Sequence, residues 1–304
     1  VFEALFHKVP GYLKLIRPKE WIKNIFLFIP LFFAGKSFNL PLVTELFGGF
    51  ACFSMVASGL YILNDLRDIK SDQIHPIKRN RPLASGWISK YPAIILMILL
   101  WILGLSLGYV LKPKFGFILG IYWILNLAYS FGLKDISILD ILMVSAGFVL
   151  RVKAGGAITN IYVSNWLIIM VFLLSLIMSI AKRRDDLLLK LKSGVEIRKA
   201  GKGYNLDFLN TVLGLISGIT VMAYIMYTIS PEVMARHNSY RLYYTCIFVI
   251  AGILRYLQIT FVEGESGSPT LILYKDRFIQ FCIILWIISF YFILYIPDIQ
   301  LFSE

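Results

Sequence analysis

Long apolar runs without a single charge set the strongest limit on how this chain can fold. Ile94 to Val110, Val163 to Ile180 and Phe278 to Ile296 contain no Lys, Arg, Asp or Glu. A run of about 17–25 apolar residues is long enough to cross the hydrocarbon core of a bilayer. A buried core helix would explain any one of these runs, but their repetition along the chain favours the membrane. Composition agrees: 58% of the 304 residues are hydrophobic, against about 45–50% in ordinary soluble domains. The pattern places nine spans, at roughly 22–37, 42–64, 89–110, 114–131, 136–154, 162–182, 207–230, 240–260 and 277–296. Trp21, Trp87, Trp123 and Trp166 lie close to span ends, where interfacial aromatics collect. Lipid offers the backbone no hydrogen-bond partner, so every span should be helical. The expectation is an all-α integral membrane protein with nine transmembrane helices. It reads as one domain over 1–304, with long polar loops at about 65–88 and 183–206.

Charge then orients the chain. The formal net charge is +12. Of the 30 Lys and Arg, 22 fall in residues 1–24, 65–90, 132–140, 182–206 and 261–278, while the alternate loops carry Lys36, Lys112, Lys114, Arg236 and Arg241. The positive-inside rule makes the basic face cytoplasmic. A multi-pass protein of the inner (plasma) membrane is expected, with its chemistry facing the cytoplasm. The basic balance then needs no nucleic acid; membrane lipid and anionic, phosphate-bearing substrates suffice as partners. The first twenty residues are basic and mixed, so no cleavable signal peptide is expected. Cys52, Cys246 and Cys282 lie in apolar spans and His7, His75 and His237 are scattered, which argues against a zinc site or a catalytic triad.

The polar residues concentrate in a few segments. Asn64-Asp65-Leu66-Arg67-Asp68-Ile69-Lys70-Ser71-Asp72 begins where the second span ends. Asn64, Asp68 and Asp72 share one face of a helix at 3.6 residues per turn. Stacked oxygen ligands of this kind suit Mg²⁺, which prefers carboxylates, waters and substrate phosphates. The alternative is a solvated helix end balanced by Arg67 and Lys70. The next segment, His75-Pro76-Ile77-Lys78-Arg79-Asn80-Arg81-Pro82, packs three cations between prolines. Lys78 and Arg79 are candidate clamps for a metal-bridged diphosphate; the bland alternative is a positive-inside loop. Tyr129, Lys134 and Asp140 form a second constellation, with Asp140 read as a catalytic residue, through a second metal or a diphosphate contact, or as a helix cap. Arg151, Lys153 and Arg255 lie within apolar spans. Intramembrane cations face an interior cavity or snorkel outward, and Arg151 is the candidate ligand for an anion. Lys23, Asn24 and Lys182 are the other candidate substrate contacts at cytoplasmic helix ends.

These residues resemble the UbiA superfamily of intramembrane prenyltransferases over nearly the whole chain. The resemblance implies nine helices around a central cavity and two Asp-rich motifs that bind Mg²⁺-diphosphate. Asn64, Asp68 and Asp72 match the first motif, as catalytic and metal-binding residues. The second motif is reduced to Lys134, Asp135 and Asp140. Arg17-Pro18 with Trp21 and Lys23-Asn24, the 75–79 segment, Tyr129-Ser130, Gly147 to Arg151 and Lys182-Arg183-Arg184 are similar to one phosphoribosyltransferase branch. That branch moves 5-phosphoribose from phosphoribosyl diphosphate (PRPP) to a polyprenyl phosphate, for lipid-linked pentose synthesis. An aromatic or tetrapyrrole prenyltransferase of the same fold, and a transporter or lipid-binding scaffold, are the alternatives.

Overall fold

The computed structural model describes residues 10–74, 78–193, 201, 203–237, 239–263, 272 and 275–295. Residues 75–77 of the basic segment, and 194–200 and 202 of the long polar loop expected at 183–206, lie outside the described residues. The described chain is helical, without strands. Its helices are α1 (residues 10–16), α2 (Ile29–Phe33), α3 (Leu40–Arg67), α4 (Ile69–Ile74), α5 (Lys90–Leu111), α6 (Pro113–Ser130), α7 (Leu139–Thr159), α8 (Asn165–Ser193), α9 (Leu206–Thr228), α10 (Pro231–His237), α11 (Cys246–Gln258) and α12 (Arg277–Tyr295). Among the described residues, each of the nine expected spans overlaps a helical segment. Among the described residues, six helical stretches are long and apolar enough to cross a membrane, including Leu40–Arg67, Lys90–Leu111 and Arg241–Glu263.

The first span departs from expectation. It is a 3₁₀ helix over Pro18–Phe28 followed by the single turn of α2. Pro30 stands in the first turn of α2, and without an N–H it cannot continue a regular α ladder from the preceding turn. A 3₁₀ helix rises about 2.0 Å per residue, so its eleven residues cover roughly 22 Å. The stretched pitch lets a short segment reach nearly as far as a regular span.

The chain divides into two compact units, residues 1–133 with 147–163, and residues 134–146 with 164–304. In the first, α3 starts on Asn39, whose side chain accepts from Leu42 N at 3.2 Å, a standard N-cap. Its core gathers Leu27, Phe53, Val56, Leu60, Phe115, Leu119 and Ile158, and a smaller cluster buries Leu15, Ile62, Leu83 and Ile88. On α5 the buried positions are Ala93, Met97, Gly104 and Gly108, while Ile95, Ile98, Leu99, Ile102, Leu107 and Val110 are exposed. Three small residues inward with Met97, and large apolar residues outward, invert the soluble pattern and match helix packing in lipid. In the second unit, α9 is capped by Asn205, which accepts from Phe208 N at 2.7 Å. Its core holds Ile141, Leu176, Ile177, Ile180, Leu209 and Leu213.

Candidate active site

One face of α3 carries Ser54, Ser58, Tyr61 and Asp65, spaced as neighbours on a helix. This face receives the segment before and within the 3₁₀ helix through polar side chains. Asn24 Nδ2 donates to Ser54 Oγ at 2.9 Å. Trp21 Nε1 donates to Ser58 Oγ at 3.0 Å, and Ser58 Oγ donates to the Ile16 carbonyl at 2.8 Å. Arg17 pairs with Asp65 and lies over the Tyr61 ring at 5.2 Å. Arg17 takes a left-handed backbone, φ 53°, directly before Pro18. Proline disfavours helical geometry in the residue before it, and such strain costs on the order of 1–3 kcal/mol. The surrounding contacts hold it there.

The neighbouring ridge carries the expected metal ligands. Asp68 N donates to the Asn64 carbonyl at 2.9 Å and Asp72 N to the Asp68 carbonyl at 2.8 Å. These two bonds flank Asp68, where α3 ends and the backbone turns at φ −93° and ψ 6° before α4 begins, so Asn64, Asp68 and Asp72 follow one another across that junction. Asn64 Oδ1 is buried without a hydrogen-bond partner, an arrangement that normally costs about 1–3 kcal/mol. An orphaned amide oxygen, with the Asp68 carboxylate one turn further along the chain, is a donor set that a hard cation can use. No group of three or more His, Cys, Asp or Glu forms a ready-made cage among the described residues. Mg²⁺ needs none, because it keeps waters and substrate oxygens in its shell.

The basic segment reaches this ridge through Arg81, one of its three cations but not one that the sequence singled out. Arg79 is exposed and Lys78 half-buried on the turn Lys78–Asn80. Arg81 Nη1 donates to Asp72 Oδ2 at 2.7 Å and to Asp65 Oδ1 at 3.0 Å. Lys23 is half-buried and pairs with Glu20.

Arg151 is 5% exposed, so it does not snorkel. Its Nε donates to Asn24 Oδ1 at 2.9 Å, Nη1 to the Gly147 carbonyl at 3.0 Å and Nη2 to Tyr122 Oη at 2.8 Å. The Phe53, Tyr122 and Phe148 rings lie 5.3, 4.8 and 5.4 Å from the guanidinium, where ring quadrupoles attract a cation. Lys153 is exposed, and Arg255 is bonded to Asp276, Gln258 and Glu263. Tyr129 is half-buried at the end of α6.

In the second unit Asp140 is 0% exposed. Arg183 Nε donates to it, and Tyr204 Oη donates to Oδ1 at 2.7 Å. Tyr204 Oη in turn accepts from Ile138 N at 2.5 Å. Burial, then the bond to Asp140, pushes the Tyr204 hydroxyl well above the ordinary phenol range, which keeps it a donor. Ile138 is held at φ 69°, a costly conformation for a β-branched residue. Asp140 thus ties the start of α7 to α8 and to the 203–205 segment. Of the triplet Lys182-Arg183-Arg184, the two arginines are buried and Lys182, the candidate substrate contact, is exposed. Lys134 is half-buried.

Residues 25–266 match the family described as the UbiA prenyltransferase family. The chain is 33% identical to a decaprenyl-phosphate phosphoribosyltransferase of Mycolicibacterium smegmatis, covering 92% of this chain and 91% of the relative. It is 30% identical to the one from Corynebacterium glutamicum, covering 94% and 87%. Among solved structures, a UbiA homolog from Archaeoglobus fulgidus bound to DMAPP and Mg²⁺ superposes with a TM-score of 0.69 at 22% identity, covering 94% of this chain and 99% of that one.

Proposed function

The chain belongs to the UbiA prenyltransferase family, and we propose that it is the member of that family which transfers phosphoribose to a polyprenyl phosphate. It is a membrane-embedded transferase that moves 5-phosphoribose from PRPP to the lipid phosphate and releases pyrophosphate. The observation that carries the reading is likeness to decaprenyl-phosphate phosphoribosyltransferases over nine-tenths of both chains, not over a shared fold alone.

The chemistry of the residues supports it. In the reaction, the bond from ribose C1 to the diphosphate breaks and a bond from C1 to a lipid phosphate oxygen forms. A phosphate monoester has a second pKa near 6, so the attacking oxygen is ionised near neutrality and needs no general base. What remains is placement and charge stabilisation. Asn64, Asp68 and Asp72 would hold Mg²⁺, which supplies neutralisation of the departing diphosphate. Arg81, with Lys78 and Arg79 beside it, meets the diphosphate oxygens, and Tyr129 belongs to the same unit. Lys23, Asn24 and Arg151 form a second, deeper cationic cluster in that unit, suited to a further phosphate. In the second unit, Lys134 and Lys182 are assigned to phosphate. Asp140, saturated by Arg183 and Tyr204, is assigned to holding its loop.

Purified protein with Mg²⁺, labelled PRPP and polyprenyl phosphate should yield labelled lipid and an equal amount of pyrophosphate. Inertness toward PRPP, with transfer from a prenyl diphosphate to a non-phosphate acceptor, would replace this reading with the prenyltransferase one.

A further inference from the structure

Asp65 stands apart from the ridge formed by its neighbours. One residue on from Asn64, it is turned by about 100° around α3, toward the segment that carries Arg17. Its side chain is 2% exposed, whereas those of Arg17 and Arg81 are 23% and 28% exposed. Both arginines converge on the same oxygen, Oδ1. The carboxylate therefore lies beneath two cations that themselves reach the surface of the site. Arg17 is kept in a left-handed conformation before Pro18, and its guanidinium is anchored by this one carboxylate. Arg81 bridges from Asp65 to Asp72 on the ridge.

We propose that Asp65 is a positioning residue that holds Arg17 and Arg81 as a paired receptor for the donor's phosphate oxygens, and that it is not a metal ligand. Charge makes the pair conditional. Two arginines face Asp65 and Asp72, and the four groups balance. A divalent cation on Asn64, Asp68 and Asp72 takes up the charge of Asp72 and leaves Arg81 in excess. Phosphate oxygens restore the balance, and a guanidinium can offer them two parallel donors. Metal and diphosphate would therefore be held together, with Asp65 fixing where the arginines wait. This rests on the phosphate-donor reading above.

The test uses the full purified chain and two probes: binding of Mg²⁺-pyrophosphate, and turnover of PRPP with polyprenyl phosphate. Asp65→Asn should weaken Mg²⁺-pyrophosphate binding and raise the KM for PRPP by about ten- to hundredfold, the usual range when a supporting partner is lost. The Mg²⁺ concentration giving half-maximal rate at saturating donor should stay as in the parent, and kcat should fall less than KM rises. Asp68→Asn should instead shift the Mg²⁺ requirement. Arg81→Gln should reproduce the Asp65→Asn phenotype, and the double variant should be no worse than the worse single, as for two groups acting as a unit. A shift in Mg²⁺ requirement in Asp65→Asn, or unchanged pyrophosphate affinity, overturns the proposal. If Asp65→Asn does not fold, Arg17→Gln and Arg81→Gln decide, and unchanged pyrophosphate affinity in both overturns it. Pyrophosphate binding that responds to these substitutions in a chain inert toward PRPP would sink the donor assignment and leave Asp65 standing.

Discussion

Arg151 uses three of its five N–H donors on Asn24, Gly147 and Tyr122. Two remain, on a cation with three aromatic rings around it. Asn24 links it to Ser54, which precedes Asn64 by ten residues on α3, about 15 Å of helix. The ligand proposed for Arg151 is therefore a phosphate group other than the one proposed at Asp68. A charge-assisted hydrogen bond is worth about 1.5–3 kcal/mol. Arg151→Leu should accordingly raise the KM for donor or acceptor by about ten- to hundredfold. A lowered melting temperature with both KM values unchanged would reduce Arg151 to a brace. The depth of this residue was legible, because a charge inside an apolar run is conspicuous. Its partners were not, since Tyr122 lies 29 positions away and Asn24 lies 127. The same holds for Asp140: its cost is plain in the sequence, whereas Arg183 and Tyr204, which meet that cost, are 43 and 64 positions distant.

At the level of elements, hydropathy located the spans well because it reads apolar content, which lipid demands of any spanning segment. It does not read pitch, so the 3₁₀ course of Pro18–Phe28 was missed. Pro18 and Pro30 were the available hints. The polar face Ser54, Ser58, Tyr61, Asp65 was also readable as a helical stripe through an apolar segment, and it marks where the 3₁₀ helix docks. A second docking point is steric. A Cβ added at Gly155 on α7 would lie 1.9 Å from the Leu27 carbonyl oxygen, so the two backbones meet there only because the residue is glycine. Gly155→Ala should push the 3₁₀ helix away and cost about 1–3 kcal/mol, as overpacking does. A lowered melting temperature in detergent is the measurement, and an unchanged one would mean that the segment shifts freely. Since Asn24 sits on the same helix as Leu27, KM should suffer with it.

For the molecule as a whole, the distribution of Lys and Arg predicts that Ser71 faces the cytoplasm and Ser239 the opposite side. Single cysteines at these positions, in a background lacking Cys52, Cys246 and Cys282, should label from opposite sides of sealed, oriented vesicles. Labelling from one side only would invalidate the alternating topology. Fold class was legible at this scale because the bilayer constrains composition and backbone together. The orphaned oxygen of Asn64 and the bridge made by Arg81 depend on where loops return, and no periodicity encodes that.

The exposed apolar flank of α5 carries a consequence for handling as well as for architecture. Its inward seam of Ala93, Met97, Gly104 and Gly108 packs at short range, whereas most of its large aliphatic side chains face outward, where burial from water cannot hold them. The surrounding acyl chains act as the other half of its packing. Lipid is in that sense a structural ligand of this protein, present in large excess and bound without specificity, and each detergent replaces it with a poorer one.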